Sequence, residues 1–479
     1  MSDTDLCYLT GVEALALFRS GDLSPVELMQ AVIRRAESMQ PGINAFTDTF
    51  YEQALEAASV AEKRYLGGRP RKLEGLPLAV KDELRLKGAR RTSSSLVFRD
   101  RVDDDSDVII DRLLRAGSIP VAKTATPEFC LLGSCHSRLF GVTRNPWDLD
   151  LTPGGSSGGT GAALAAGMAI LGTGTDIGGS IRIPAAQCGI VGYKPPYGRN
   201  PEVPVFNLDF YSHSGPMTRS VADAALMQNV ISGPHNQDIA TLRSRVRLDT
   251  EGVPESLEGW RIAWSMDLGF MEIDRDVENN TLRALDTFRD LGATVEHVDL
   301  GWNHEIIHAA HSYWSHNWAA TIQGLLDTHR RDLADYTVFF IERARQSTRA
   351  DYLRSLQIKV EMYRVFGPLM DRFDLFVCPT LATNHIPAEF TWPDSEVLIN
   401  GKIVISDEEY WSLTYPFNML SRCPTLAVPS GVGGNGVPTG IQLVARTYAD
   451  RKVMEAGKAF EAASGAIPGW SLDRRLPAG

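Results

Sequence analysis

The sequence has few cysteines, no long run of basic residues and no apolar run long enough to cross a bilayer. Six cysteines in 479 residues, with no Cys-x-x-Cys pair, argue against a zinc ribbon and against a dense disulfide framework. The formal net charge of −11 makes nucleic acid and anionic membrane surfaces poor partners. The most apolar window, 160–173, is too short and too rich in glycine to span a membrane, and the acidic N-terminus shows no secretory leader pattern. We therefore expect a cytoplasmic protein with no nucleic-acid or membrane partner.

Apolar residues follow two patterns that alternate along the chain. Ser24-Pro25-Val26-Glu27 has the cap, the first-turn proline and the capping-box glutamate of a helix start. Further helices are predicted at 51–65, 106–116, 158–167, 220–231, 277–291 and across much of 302–350. Short apolar runs predict buried strands at 76–80, 119–122, 169–171, 261–264, 293–295, 374–379, 425–429 and 440–444. The alternation indicates an α/β fold with a largely parallel or mixed sheet.

Glycine and serine are concentrated in two segments of the chain. Residues 152–160 read TPGGSSGGT, and residues 174–184 read GTDIGGSIRIP. Glycine weakens any regular element, so folded proteins keep such runs where the backbone must approach another group closely. Upstream, Lys81 follows the apolar run 76–80. Together these features suggest a serine nucleophile surrounded by backbone N–H groups.

These segments resemble the signature of the amidase signature family. Ser156 and Ser180, with Lys81 upstream, are spaced as the serine–serine–lysine triad of that family requires. The likeness covers roughly residues 24–444. Other segments that share it are Lys123-Thr124, Asn145-Pro146-Trp147, Gly192-x-Lys194-Pro195, Gly215-Pro216-Met217-Thr218-Arg219 and Asp374-x-x-x-x-Pro379-Thr380.

The resemblance implies a fold and a layout of the chain. It implies a large mixed and twisted β-sheet that is covered by helices and carries an added helical subregion, in a single domain over 1–479. Its parts are N-terminal helices at 1–70, a signature core at 71–232, a linker and variable helical subregion at 233–350, and a C-terminal return to the core at 351–479.

The resemblance also assigns roles to residues. It implies that Ser180 is the nucleophile, Ser156 a bridging serine and Lys81 the base, with a cis peptide between Gly155 and Ser156. The residues implied to contact the substrate or its developing oxyanion are Cys130, Ser156, Ile177, Gly178, Gly179 and Ser180. The residues expected to support these loops are Ser157, Asp176 and Arg182. Neither a metal nor another cofactor is implied, the partner is a small amide substrate, and a homodimer is compatible with the sequence.

The chemistry of these side chains agrees with the implied roles. A serine hydroxyl is a weak nucleophile and needs a base within hydrogen-bond reach. A lysine is a base only when its amine is neutral, and burial in an apolar strand disfavours the ammonium form. A neutral Lys81 would take the proton of Ser180 through Ser156 and return it to the departing amine. The predicted reaction is hydrolysis of an amide carbon–nitrogen bond through an acyl-enzyme, with small carboxamides, aryl amides, anilides and carbamates as candidate substrates.

Two other nucleophile arrangements fit parts of the sequence. Residues 154–158 match the G-x-S-x-G elbow of α/β-hydrolases, but an elbow follows a buried strand, and residues 145–153 are polar and rich in turn formers. Cys130 or Cys135 with Lys81 would suit a cysteine-dependent amide hydrolase. A cysteine is more often a small buried hydrophobe, so we favour the serine mechanism.

The region 302–318 supports further alternatives. His304-Glu305-Ile306-Ile307-His308 matches the zinc-binding motif H-E-x-x-H, although nothing else in the sequence builds a metalloprotease, and a packed or exposed helix is favoured. Four aromatic residues are expected mainly to pack in the core, with the lining of an apolar substrate pocket as the alternative. They are Trp302, Tyr313, Trp314 and Trp318.

One branch of the family serves as the amidase subunit of a tRNA-dependent amidotransferase. Residues 353–389 do not resemble that branch, and the sequence implies no partner that delivers ammonia. We therefore expect a stand-alone amidase.

Overall fold

An eleven-stranded mixed β-sheet forms the centre of the protein, in a computed structural model that describes residues 1–202, 206–404 and 409–464. The strands of the described residues are β1 (Phe46–Thr49), β2 (Pro77–Lys81), β3 (Ile119–Thr124), β4 (His136–Ser137), β5 (Gly141–Val142), β6 (Leu171–Thr175), β7 (Val191–Lys194), β8 (Ser214–Thr218), β9 (Arg261–Trp264), β10 (Thr294–His297), β11 (Leu375–Pro379), β12 (Val397–Ile399), β13 (Lys402–Val404), β14 (Thr425–Val432) and β15 (Pro438–Val444). In the large sheet they pair in the order β1-β3-β2-β6-β8-β7-β14-β15-β11-β9-β10.

Helices cover this sheet on its faces. Those of the described residues are α1 (Asp3–Cys7), α2 (Gly11–Ser20), α3 (Pro25–Ile43), α4 (Tyr51–Leu66), α5 (Val108–Ala116), α6 (Gly158–Ala165), α7 (Arg182–Cys188), α8 (Val221–Ile231), α9 (Arg275–Asp290), α10 (Glu305–His316), α11 (Trp318–Ile322), α12 (Leu325–His329), α13 (Asp335–Ala344), α14 (Arg349–Met370), α15 (Tyr415–Met419) and α16 (Asp450–Ala463). None of them is both long and apolar enough to cross a membrane. The predicted α/β fold with a mixed sheet is confirmed.

The pairing of β2 determines where the candidate site lies. β2 runs parallel to both β3 and β6, so the carboxyl ends of these three strands meet at one edge of the sheet. β6 in turn pairs with β8 in antiparallel fashion, which makes the sheet mixed. Lys81 and Thr175, the last residues of β2 and β6, are therefore brought close together.

The apolar side chains of the protein form separate clusters on either side of the sheet. α1 to α6 pack with β2, β3 and β6 in one cluster. α8, α9 and α16 pack with β7, β9, β11, β14 and β15 in a second. A third cluster holds most of the aromatic residues and joins α10, α11, α13 and α14 to residues 381–420. The helices α10, α11 and α13 therefore pack in a cluster that also includes residues of the sheet strands β9, β11 and β15.

Several element boundaries differ from the sequence prediction for physical reasons. β6 begins at Leu171 rather than at 169 and continues to Thr175. The prediction missed most of this strand because its sequence, LGTGT, alternates with glycine and has no apolar pattern. The N-terminal part contains the edge strand β1 besides its helices. α5 begins at Val108 after Asp107, whereas Ser106, the first residue of the predicted helix, accepts a hydrogen bond from the amide of Lys87.

Candidate active site

Lys81 ends β2 with its side chain fully buried. Its Nζ lies 2.7 Å from Ser156 Oγ and 2.5 Å from Thr175 Oγ1. The parallel pairing of β2 with β6 brings Lys81 and Thr175 together. The structure thus places the predicted base in direct hydrogen-bond contact with the predicted bridging serine.

Ser156 lies in the turn that leads into α6. The Gly155–Ser156 peptide is cis, as the resemblance implied. Gly155 has no room for a side chain, because a Cβ atom there would lie 2.3 Å from the carbonyl oxygen of Ser134. Ser157 Oγ lies 3.4 Å from the carbonyl oxygen and 3.4 Å from the amide nitrogen of Thr175. Ser157 therefore supports the turn that carries Ser156 by fastening it to the end of β6.

Ser180 lies in the second glycine-rich segment, just after β6. Its carbonyl oxygen accepts a hydrogen bond from the amide of Ser157 at 3.2 Å, so the two serine segments are tied together. Ser180 is 7% exposed and lines a cavity, and Ser156 lines an adjoining one. Cys130 and Ile177 line both cavities. The fold therefore gathers the three predicted triad residues around one site.

The backbone amides of the second segment divide into two sets. The amide of Gly179 donates to Asp176 Oδ1 at 2.9 Å. The amides of Ile177, Gly178 and Ser180 donate to no protein acceptor in the part of the chain that the structure describes. The expectation that Gly179 also offers its N–H group to the oxyanion is therefore corrected, because that group is already used by a buried carboxylate.

Asp176 and Arg182 form a fully buried ion pair. Arg182 Nε and Nη2 each donate to the Asp176 carboxylate at 2.9 Å. Burial alone would raise the pKa of Asp176, but the Arg182 guanidinium and the Asn418 amide lower it well below its usual range. Arg182 Nη1 also donates to the Thr414 carbonyl at 3.0 Å. The pair thus anchors the Ser180 segment to α15 and the residues before it, as expected of residues that hold a loop.

A carboxylate that the sequence analysis did not single out lies beside the lysine. Glu83 Oε2 is 3.4 Å from Lys81 Nζ and accepts a hydrogen bond from Thr175 Oγ1 at 2.6 Å. Burial alone would raise the pKa of Glu83, but the Lys81 ammonium and the Thr175 hydroxyl lower it below its usual value. Its position two residues after Lys81 was the only signal in the sequence, and the turn after β2 decides where the side chain points.

The two cysteines considered as nucleophiles lie in environments that disfavour a thiolate. Burial, with the nearby Glu83 charge, raises the pKa of Cys130 to about 12. Burial likewise raises the pKa of Cys135 to about 11. Cys130 Sγ lies 3.4 Å from Glu83 Oε2 and its residue lines the cavity, so it is placed to contact a ligand rather than to attack one.

Two groups of residues of different composition border the cavity beside Ser180 and the adjoining one. We call the first group the catalytic wall; it consists of Lys81, Glu83, Ser156, Ser157 and residues 175–182. Within it, Ile177, Gly178 and Ser180 line the cavity beside Ser180, and Glu83, Ser156, Thr175, Asp176 and Ile177 line the adjoining one. The aromatic wall consists of Trp314, Trp318, Phe340, Trp392 and Tyr415, together with Glu409. Of the four aromatic residues considered in the sequence analysis, Trp314 and Trp318 line this cavity. Trp302 and Tyr313 pack in the core, as was expected mainly of all four.

Two features of the aromatic wall bear on chemistry. Trp314 packs against Gly178, where a Cβ atom would lie 2.9 Å from the indole ring. Glu409 is 3% exposed and accepts hydrogen bonds from the Gly133 amide at 2.7 Å and from Tyr415 Oη at 2.8 Å. Burial raises the pKa of Glu409 to about 7. Neither Trp392 nor Glu409 carried a sequence signal, since each is remote from the serine segments.

The structure also bears on the two remaining motifs. His308 Nε2 lies 3.4 Å from Tyr410 Oη, and the His304 ring packs on Phe270. The described residues contain no group of three or more His, Cys, Asp or Glu side chains that could hold a metal ion. Residues 152–157 form no strand that leads into Ser156, which removes the structural context of a nucleophile elbow.

Comparison with known proteins gives consistent matches over nearly the whole chain. The sequence profile of the Amidase family matches residues 27–454. The chain is 34% identical to an acylamidase of Rhodococcus erythropolis, over 96% of this chain and 97% of that protein. It is 31% identical to one subunit of the glutamyl-tRNA(Gln) amidotransferase of Geobacter metallireducens, over 92% of this chain and 94% of that protein.

Solved structures agree with these matches. A bacterial aryl acylamidase of the amidase signature enzymes superposes with a TM-score of 0.89 at 30% identity, over 98% of this chain and 99% of that one. A 6-aminohexanoate cyclic dimer hydrolase with bound substrate superposes with a TM-score of 0.84 at 25% identity, over 98% of this chain and 99% of that one.

Proposed function

This chain belongs to the amidase signature family and is a hydrolase of amide carbon–nitrogen bonds, and we propose that it works through Ser180, Ser156 and Lys81. The observation that carries the proposal is the buried contact of 2.7 Å between Lys81 Nζ and Ser156 Oγ. Ser180 lines the adjoining cavity, and its segment is tied to that of Ser156. The arrangement supplies a base, a bridging hydroxyl and a nucleophile in sequence.

In the acylation step, Ser180 Oγ bonds to the carbonyl carbon of the amide. Its proton passes to Ser156 Oγ while the proton of Ser156 passes to the neutral amine of Lys81. The carbonyl electron pair moves to oxygen, and the amides of Ile177, Gly178 and Ser180, which have no acceptor among the described residues, are available to stabilise that charge. One donor of this kind is worth about 3–4 kcal/mol of activation free energy.

The carbon–nitrogen bond then breaks as the proton returns. Lys81 gives a proton to Ser156, whose own proton goes to the leaving nitrogen, so the amine departs neutral. Water attacks the resulting Ser180 ester with the same pair as base. The tetrahedral intermediate collapses, the carboxylic acid leaves and Ser180 regains its hydroxyl.

The walls of the cavity favour an aryl amide or anilide as substrate. The aromatic wall next to Ser180 presents rings from Trp314, Trp318, Phe340 and Trp392. Such rings bind aromatic or apolar groups by offset and edge-to-face contacts. The likeness to an acylamidase and to an aryl acylamidase supports the same substrate class.

We propose that the chain works alone rather than within an amidotransferase complex. It is more similar to the Rhodococcus acylamidase than to the Geobacter amidotransferase chain, at 34% against 31% identity. The test is whether the purified chain hydrolyses amides without a partner. Turnover of glutamine only with a partner chain present would contradict the proposal.

The triad is tested by measuring release of amine from acetanilide, benzamide and acetamide, with the matching phenyl ester as a comparison. Ser180→Ala and Lys81→Ala are each expected to lower kcat/KM by at least about 10³-fold, because members of such a triad act as a unit. Lys87→Ala, which removes an exposed lysine, is the matched control. Normal rates in either triad variant would contradict the mechanism, and a marked preference for the ester would indicate an esterase.

A further inference from the structure

We infer that Glu83 sets the pH at which Lys81 becomes able to act as a base, which makes Glu83 a positioning residue for the reaction. The inference rests on the proposed function, because it concerns the protonation of the proposed base. It goes beyond the triad, since no role has been given to Glu83 or to Thr175 in the steps above.

The surroundings of Lys81 Nζ match the charged form of the amine. An ammonium group has three N–H donors and no acceptor. The three oxygens around Nζ are Ser156 Oγ at 2.7 Å, Thr175 Oγ1 at 2.5 Å and Glu83 Oε2 at 3.4 Å. One acceptor is therefore available for each donor, and the resting site suits an ammonium paired with a carboxylate.

Thr175 fixes which atoms donate and which accept in the hydrogen bonds around Lys81. Its hydroxyl donates to Glu83 Oε2 at 2.6 Å, so its oxygen is left to accept a hydrogen bond from Lys81. When Lys81 loses a proton, its remaining N–H groups are held by Thr175 and Glu83. The lone pair is then directed to Ser156, where the mechanism needs it.

The same groups connect a buried amine to solvent. The Lys81 side chain is 0% exposed, whereas that of Glu83 is 26% exposed. A proton that leaves Lys81 can therefore pass to water along Thr175 and Glu83. This path is separate from the Ser156 side of the amine.

Other titratable groups around Lys81 and Glu83 are poor alternatives to Glu83 as the counter-charge of Lys81. Burial raises the pKa of Cys130 to about 12 and that of Cys135 to about 11, so both thiols stay neutral. Burial raises the pKa of Glu202 to about 8. Asp176 is already paired with Arg182. Among the described residues, the charge of Glu83 is thus the one placed to hold Lys81 as an ammonium.

The consequence has a definite sign. A carboxylate beside an amine favours its charged form, typically by about 1–3 pH units. Replacement of Glu83 by a neutral isostere removes that preference, so Lys81 becomes neutral at lower pH. The acidic limb of the pH–rate profile should then move to lower pH while the alkaline plateau is largely kept.

The experiment measures Glu83→Gln against the unaltered protein between about pH 5 and 10, by two readouts. One is kcat/KM for the aryl amide hydrolysed best. The other is the rate at which phenylmethanesulfonyl fluoride modifies Ser180, which reports nucleophile activation without turnover. We expect both midpoints to fall by about 1 pH unit or more. Glu83→Asp, which keeps the charge, should stay near the midpoint of the unaltered protein.

Glu202→Gln is the matched control, because it removes the other nearby carboxyl and should leave both midpoints in place. Unchanged midpoints in folded Glu83→Gln, or loss of activity across the whole pH range, would overturn the inference. If Glu83→Gln does not fold, Glu83→Asn provides the same neutral test. An active Lys81→Ala would instead refute the triad itself, so the two failures are distinguishable.

Discussion

The catalytic wall and the aromatic wall meet at the cavity beside Ser180 but are assembled from the chain in different ways. The catalytic wall comes from the last residues of β2 and β6 with the short segments that follow them, plus the turn before α6. The aromatic wall comes from α10, α11, α13, α15 and the long connection before α15. Its members lie far apart in sequence and meet only through tertiary packing.

The two walls also shift the pKa values of their carboxyl groups in opposite directions. In the catalytic wall, cationic neighbours lower the pKa values of Asp176 and Glu83. In the aromatic wall, burial raises the pKa of Glu409 to about 7, and its two hydrogen-bond donors, the Gly133 amide and the Tyr415 hydroxyl, are neutral. One wall is therefore built to hold charge and the other to exclude it, which suits a reaction that develops charge next to an apolar substrate group.

The largest expected effect comes from breaking the charge pair of the catalytic wall. Arg182→Met leaves Asp176 buried without its cation, which typically costs about 3–5 kcal/mol. We expect that loss in the free energy of unfolding, measured by urea denaturation, together with loss of activity as the Ser180 segment loosens. If the variant keeps both its stability and its activity, the catalytic wall does not depend on its buried charge pair and does not differ from the aromatic wall in this respect.

An exposed ion pair is the matched control for this substitution. Arg115 lies 2.8 Å from Asp111 with its side chain 81% exposed. Arg115→Met should change the free energy of unfolding by less than about 1 kcal/mol, since solvent screens such pairs. Similar losses in the two variants would show that burial of the Arg182 pair is not what matters.

The fold was predictable from sequence wherever apolar spacing was strong. β9 is predicted at 261–264 and found at Arg261–Trp264, and α3 begins after the Ser24 capping box as its sequence indicates. β6 was misplaced because alternating glycines carry no apolar pattern. The pairing order of the strands could not be derived, since it depends on contacts between distant segments.

The site was predictable only where its chemistry is concentrated in a motif. Lys81, Ser156 and Ser180 stand in segments whose composition draws attention to them. Glu83 was missed because a turn sets its direction. Glu409 was missed because a lone acidic residue outside any motif resembles a solvated surface charge, and only packing places it in an apolar wall.

The contact between the two walls can be altered directly at Gly178. In Gly178→Ala the new Cβ atom would lie 2.9 Å from the Trp314 ring, so the ring or the amide-bearing segment must shift. A displacement of about 1 Å at reacting groups can cost about 10²-fold in rate. We expect kcat/KM for the aryl amide to fall by about 10- to 100-fold with little change in stability.

A second substitution tests whether steric crowding against Trp314 is the cause of the lower kcat/KM in Gly178→Ala. Trp314→Phe removes the part of the indole ring that the new methyl group would meet, so the double variant should recover much of the lost rate. The coupling is measured as a double-mutant cycle in kcat/KM. Additive losses in kcat/KM would mean that the Gly178–Trp314 contact does not couple the two walls, which then act independently.

The smallest expected effect concerns Glu409 and has a pH dependence of known sign. Its pKa is about 7 in the folded protein against a usual value of 4.5. Between these values the unfolded chain has lost the proton and the folded protein keeps it, so rising pH favours unfolding by up to about 1.4 kcal/mol per pH unit. The glutamine in Glu409→Gln cannot ionise, so this variant does not lose unfolding free energy at this position as the pH rises.

Relative to the unaltered protein, the variant should therefore gain about 1 kcal/mol of unfolding free energy between about pH 5.5 and 6.5. The difference should level off at about pH 8 and above, where Glu409 is ionised in both the folded and the unfolded protein. Paired urea denaturation curves across this range measure it. A difference that does not change with pH would mean that Glu409 is ionised in the folded protein, and that the aromatic wall holds charge as the catalytic wall does.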